Sequence, residues 1–323
     1  MSARARIFVF ALAAIGVVYW CFNGLILEHR GPYYSAPITE NTFWLARPVR
    51  LALHRPPPKD VPGQMHWRTL APGFEVADLP VLVGREEVER IFLARIDPAQ
   101  FRFELHNDTA NRTNLDGWMQ RTRAALVVNA SYFDMSAGPA TPVIIDGKAG
   151  GPSDYSASHG AFVSSLARTQ IADLAGADWH AAFAGAHTAL VSYPLLIAPD
   201  GTSRTARDAG WLANRSFLGE DRDGKIIIGT TKSAFFTLPR LADFLKRAPL
   251  NLRMALNLDG GPVACQGVAL GGYRRMSYGH WEVQVDANGS AHLLPGGVPL
   301  LNLRHETMPF VLAVYPRRDV VER

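Results

Sequence analysis

Cysteine is almost absent from this chain of 323 residues: only Cys21 and Cys265 occur, the first inside an apolar run near the N-terminus. That excludes an internal disulfide framework and any zinc-type Cys/His spacing, so a metal here would have to be held by oxygen or histidine. Charge of one sign is also lacking. Thirty-three Lys and Arg stand against 29 Asp and Glu, a formal net charge of +4. They are scattered, without a long basic stretch or aromatic interleaving, and so give no footprint for nucleic acid. No repeat with a period of roughly 20 to 50 residues is present, which excludes a solenoid or propeller array. What remains is an ordinary globular balance, 48% hydrophobic and 19% charged, in a chain able to bury one large core or two modest ones.

Long hydrophobic runs are few, and one stands out. Residues 7–27, IFVFALAAIGVVYWCFNGLIL, are broken only by Asn23 and preceded by Arg4 and Arg6. That length suffices to cross a bilayer as a helix. Tyr19, Trp20, Cys21 and Phe22 stand where a cleavable signal would need small residues, so residues 1–27 read as an uncleaved signal anchor. The basic flank favours a cytoplasmic N-terminus on a single-pass inner or plasma membrane protein, with the remainder periplasmic or extracellular. Residues 28–65 contain Pro56, Pro57 and Pro58 and no sustained period, which reads as a tether. Residues 66–323 form the folded domain.

Within that domain, short apolar or alternating runs at 66–79, 88–96, 101–105, 124–129, 142–145, 160–163, 189–197, 225–230, 280–285, 291–294 and 310–315 predict strands. Helices are expected at 115–123 and, most clearly, at 237–247, TLPRLADFLKR, where Thr237 would cap and Leu238, Leu241, Phe244 and Leu245 form one face. Strands outnumber helices, so the expected fold is α+β, a mixed, strand-rich twisted sheet with a few packed helices.

The segment MALNLDGGP, residues 254–262, is where chemistry is expected. As a strand it would point Met254, Leu256 and Leu258 one way and Ala255, Asn257 and Asp259 the other. Gly260 and Gly261 permit a close approach, and Pro262 suits the start of a short helix over 262–269, so backbone N–H groups there could meet an anion. A second polar strand end follows AALVVN at Asn129, with Tyr132, Phe133 and Asp134 behind it. Asp146-Gly147-Lys148 marks a hairpin turn, and the glycine- and serine-rich residues 150–160, which include His159, form a loop long enough to cover a cleft.

Taken in order, VVNASYFD at 127–134, the turn at 146–148, the strand at 194–196, NRSFLG at 214–219, KIIIGTTKSAFFTLPRLADFL from Lys225 and ALNLDGGP resemble the phosphodiester glycosidase family over roughly residues 85–315. The resemblance implies hydrolysis of the bond between an anomeric carbon and a phosphodiester, here in envelope or exported polysaccharide. A phosphate leaving group departs as a weakly basic anion, so such a site needs less acid catalysis and more cations and N–H donors. On that footing Asp259, Asn129 and Asn257 are the catalytic candidates. Asp259 would face the anomeric carbon or activate water, and the asparagines would orient it or bind sugar hydroxyls. Arg215 and the Gly260 and Gly261 amides would hold phosphate oxygens, with Lys148 and Lys232 as further phosphate ligands and Tyr132 against the sugar. Asp134 with Asp259 could hold a calcium or magnesium ion, and no other cofactor is implied. The partners implied are a carbohydrate phosphodiester and, through residues 7–27, a membrane. Val263 and Ala264 stand where the family commonly has a serine, which leaves a noncatalytic module binding anionic polysaccharide as the alternative.

Overall fold

A computed structural model describes residues 3–22, 28–30, 33–42, 44–153, 159–205, 210–294 and 306–317. Its centre is an eight-stranded sheet in the order Leu195–Ile197, Leu252–Asn257, Ser216–Asp221, Ile226–Thr231, Glu86–Ile96, Phe74–Val83 and Asp60–Pro62, with Arg68–Ala71 also paired to Phe74–Val83. Both faces of this sheet are covered, which is why its strands read as continuous apolar runs. Alternate residues go to different cores. Ile226, Ile228, Met254, Leu256 and Leu258 join one, while Ile227, Phe217 and Ala255 join the other. The apolar residues of 254–258 therefore alternate as expected, while Asp259 lies beyond the end of the strand at Asn257.

On the Ala255 side the sheet is covered by the helix Leu238–Arg247, whose Leu241, Ala242, Phe244 and Leu245 are all buried. Burying a Phe or Leu side chain of this kind stabilises by about 1.5–3 kcal/mol. Pro239 lies in the first turn, and Arg247 in the last turn donates to the Asp60 carboxylate at 2.8 Å. Thr237 occupies the N-cap position, but its hydroxyl makes no cap bond and has no hydrogen-bond partner. On the opposite side lies a five-stranded sheet in the order Tyr273–Ser277, Gln266–Leu270, Leu126–Asn129, Phe310–Pro316 and Phe101–Asn107. Two further five-stranded sheets complete the fold, one built around Gly160–Ser164 and one around Ala291–Leu293.

Three expectations are corrected. Every strand pairing among the described residues is antiparallel, so the fold is strand-rich with few helices, but its sheets are not mixed. The helix expected over 262–269 is instead a single 3-10 turn, Gly261–Val263, followed by the strand Gln266–Leu270, which pairs with Leu126–Asn129. Tertiary pairing overrides the weak helical signal of a short Val- and Ala-containing run. Finally, residues 28–65 do more than tether. They contribute the strand Tyr33–Ile38, paired with Ala291–Leu293, and the helix Arg47–Leu53, and Leu45, Val49 and Ala52 are buried in the main core.

The N-terminal helix runs from Ala3 to Phe22. Among the described residues no helix is long and apolar enough to cross a membrane. The expected span over residues 7–27 lies partly outside the described residues, as does the expected loop at 150–160.

Candidate active site

Asp259 follows the central strand Leu252–Asn257 by two residues, and its backbone N–H donates to the Ala130 carbonyl at 3.2 Å. The ends of the Leu126–Asn129 and Leu252–Asn257 strands thus meet. Asn129, 2% exposed, donates from Nδ2 to the Asp259 carbonyl at 2.8 Å. Asn257, 1% exposed, donates to the Tyr132 hydroxyl at 2.9 Å and to the Tyr193 carbonyl at 3.0 Å, and Tyr132 donates to that same carbonyl at 2.9 Å. The Tyr132 and Tyr193 rings stack with centroids 4.3 Å apart, and His159 lies 4.9 Å from the Tyr193 ring. With their amide nitrogens engaged in this way, the Oδ1 atoms of both Asn129 and Asn257 are buried without a hydrogen-bond partner. An orphaned buried acceptor costs about 1–3 kcal/mol, so the two asparagines are held here at a cost to stability.

The carboxyl itself is charged only at a cost. Burial pushes the Asp259 pKa up to about 7, and the nearby Glu282 charge adds to the rise, whereas the Gly260 N–H, bonded to Oδ1 at 2.8 Å, and the Arg215 guanidinium oppose it. Arg215 is 5% exposed and is fixed by donating to the carbonyls of Trp211 at 2.5 Å and Phe236 at 3.4 Å. A Cβ on Gly260 would stand 3.0 Å from the Asn214 carbonyl and 3.3 Å from Arg215 Nη1, so a side chain there would crowd the guanidinium. Glu282 accepts from the Trp211 indole at 2.9 Å, and burial raises its pKa as well. Gly261 has φ +70°, and a Cβ there would lie 2.8 Å from Glu282 Oε2. Asn214 binds the layers together. Its Oδ1 accepts from the N–H groups of His280 and Trp281, and its carbonyl accepts from Gly261.

Of the residues expected from sequence, the structure brings Asp259, Asn129, Asn257, Tyr132, Arg215 and Gly260 together. The remainder are corrected. The Gly261 N–H is taken by Asn214 and the Gly260 N–H serves Asp259, so neither amide is free for phosphate. Lys148 is exposed in the hairpin with Val143–Ile145, and Lys232 is exposed beside a neighbouring cavity. Asp134 spends Oδ1 on the Ser136 N–H, the Ser136 hydroxyl and the Gly138 N–H, closing its own turn. Among the described residues no group of three or more His, Cys, Asp or Glu is placed to hold a metal. Glu282, Tyr193 and Trp211 were not foreseen. They converge only through tertiary pairing of Trp211–Ala213 with Glu282–Val285 and Leu195–Ile197 with Leu252–Asn257.

Fold and site together define a class: strand-rich proteins whose candidate centre is one partly protonated acid held between an arginine and buried amides. The sequence adds a likeness of its own: the phosphodiester glycosidase family profile matches residues 122–265. The catalytic domain of zebrafish N-acetylglucosamine-1-phosphodiester alpha-N-acetylglucosaminidase, auto-inhibited by its pro-peptide, is similar in structure at a TM-score of 0.52 and 13% identity, over 88% of each chain. A hypothetical protein from Synechocystis is similar at a TM-score of 0.47 and 14% identity, over 79% of this chain and 64% of that one. The chain thus spans less than two thirds of the Synechocystis protein. No curated protein matches the sequence.

Proposed function

We propose that the chain is a hydrolase that cleaves a sugar from a phosphodiester at its anomeric carbon, with Asp259 as the central acid and envelope or exported polysaccharide as the substrate class. The observation that carries this reading is the Asp259 carboxyl, tuned to about 7 beside Arg215 and Glu282. A carboxyl with that pKa changes protonation state near neutrality, where proton transfer to or from a reacting group is most effective. Ionised, Asp259 faces positive charge developing at the anomeric carbon or takes a proton from water. Glu282 supplies the second carboxyl of the pair that glycoside hydrolysis ordinarily uses. Arg215 sets the local field in favour of anions, and Asn129, through its bond to the Asp259 carbonyl, holds the turn that carries the acid.

An envelope location is part of the same reading. Ile7, Phe8, Phe10 and Ile15 of the N-terminal helix are 63–77% exposed, which supports an apolar partner such as a membrane for that helix. The test of the activity is release of reducing sugar from a panel of sugar 1-phosphate diesters by the full chain in detergent. Turnover that collapses in Asp259→Ala while circular dichroism is unchanged supports the reading; no product from any diester sinks it. A second reading, a noncatalytic module for anionic polysaccharide, is favoured by the turn after the double glycine, where Val263 and the fully buried Ala264 present no hydroxyl. Saturable glycan binding without product would select it.

A further inference from the structure

A cavity of about 630 Å³ opens next to this site, and neither Asp259 nor Arg215 lines it. The two places share a wall: Trp281 faces the cavity, while its neighbour Glu282 lies against Gly261. Arg47, Arg90, Lys232 and Arg275 stand around the cavity. Three are fixed by carboxylates, Arg47 by Glu86, Arg90 by Glu87 at 2.6 Å and Arg275 by Asp78 at 2.9 Å. A guanidinium held by one carboxylate still has N–H donors to spare. Lys232 is exposed, and its ammonium makes no hydrogen bond or ion pair among the described residues, although it feels the Glu87 charge.

The anionic side of the wall is weak. Glu89 is 3% exposed and accepts the Ser233 N–H on both oxygens at 3.0 and 2.9 Å, and burial pushes its pKa up to about 8, so Glu87 is the lining carboxylate that is charged near neutrality. Ser233 lines the cavity too. It is 6% exposed, and its hydroxyl has no hydrogen-bond partner. Flat surface is supplied by Trp281, half-buried, and by the Arg275 guanidinium stacked 4.0 Å from the Phe92 ring centroid. Cations that outnumber charged carboxylates and an aromatic face suit a sugar that carries an acid group.

We propose that this cavity is a second binding site, for an acidic saccharide, in which Lys232 takes the sugar's carboxylate or phosphate and Trp281 a ring face. The choice of a saccharide rests on the glycosidase reading; the placement of the cations does not. Calorimetric titration of the full chain in detergent tests it, with an acidic tetrasaccharide of galacturonic acid, neutral maltotetraose and glucose 6-phosphate as probes. The acidic tetrasaccharide is expected to bind roughly tenfold or more tightly than maltotetraose, and added salt to narrow the gap. Lys232→Glu is expected to remove that preference, Lys232→Arg to keep it, and Asp259→Asn to leave it unchanged. Glucose 6-phosphate competing with the tetrasaccharide assigns the site to phosphate as well; failure to compete assigns it to carboxylate. Equal binding of the neutral and acidic sugars, absence of acidic-sugar binding, or an unaltered preference in Lys232→Glu overturns the proposal. Binding without turnover of any diester removes the glycosidase reading and leaves this site standing, whereas turnover without binding does the reverse.

Discussion

Asp259→Asn is expected to make the protein more stable and less active, with the gain in stability depending on pH. Burial, reinforced by the Glu282 charge, moves the carboxyl from 3.8 to about 7. At 1.36 kcal/mol per pH unit that displacement corresponds to about 4 kcal/mol against the ionised form. Asp259 is partly exposed, and solvent screening reduces the recoverable share to about 2 kcal/mol. The folded pKa lies above the unfolded value, so between about pH 4 and pH 7 the folded chain holds more protons than the unfolded one, and stability falls as pH rises through that window before levelling off. Asparagine preserves the acceptor for the Gly260 N–H and carries no charge. The substituted protein should therefore match the native one near pH 4 and exceed it by about 2 kcal/mol near pH 8, which in a domain of this size is roughly 4–8 °C in Tm. Thermal unfolding by circular dichroism across that range measures it, while diester turnover falls by a factor on the order of a thousand. A Tm difference between the two proteins that stays constant from about pH 4 to pH 8 would refute the argument, because burial of the charge would then not be what tunes this carboxyl.

Arg215→Met removes the cation that opposes the rise at Asp259, so the acid limb of the kcat/KM profile should move to higher pH. The Trp211 and Phe236 carbonyls lose their donor, which should cost about 2–4 kcal/mol in urea unfolding; an unmoved limb would mean that the guanidinium does not act on Asp259. Gly261→Ala places a Cβ at φ +70° against Glu282 Oε2. It should cost about 1–3 kcal/mol and lower kcat with little change in KM, and unchanged steady-state kinetics would detach Glu282 from the reaction. Lys148→Ala should leave turnover within about twofold, since the exposed hairpin that carries it is not joined to the site; a larger loss in the same assay would restore Lys148 as a phosphate ligand.

Local pattern revealed much of this architecture. The alternation around Met254 to Leu258 and the amphipathic face of 237–247 follow from period alone, because each is decided by neighbours within one element. The 262–269 segment could not be read in this way. Its short Val- and Ala-containing run suits either a helix or a strand, and the partner that decides, Leu126–Asn129, lies about 140 positions earlier. The site divides similarly. Asn129, Asn257 and Asp259 announce themselves as polar residues ending apolar runs, whereas Glu282 sits in an alternating strand where an exposed acid would look the same. Its importance comes from Trp211 and Gly261 meeting it in space. The glycine amides show a further limit: sequence suggests that they can bind an anion, but only coordinates reveal that the anion served by Gly260 is the neighbouring Asp259 side chain.

The contribution of residues 33–53 to the core sets the smallest unit that can be produced without the apolar N-terminal helix. Expression from residue 66 would strip Ala291–Leu293 of its edge partner and open the hydrophobic interior where Leu45, Val49 and Ala52 had been, yielding material prone to aggregate. Beginning at residue 28 retains both, so inactivity in a shorter recombinant fragment would report lost packing instead of lost chemistry.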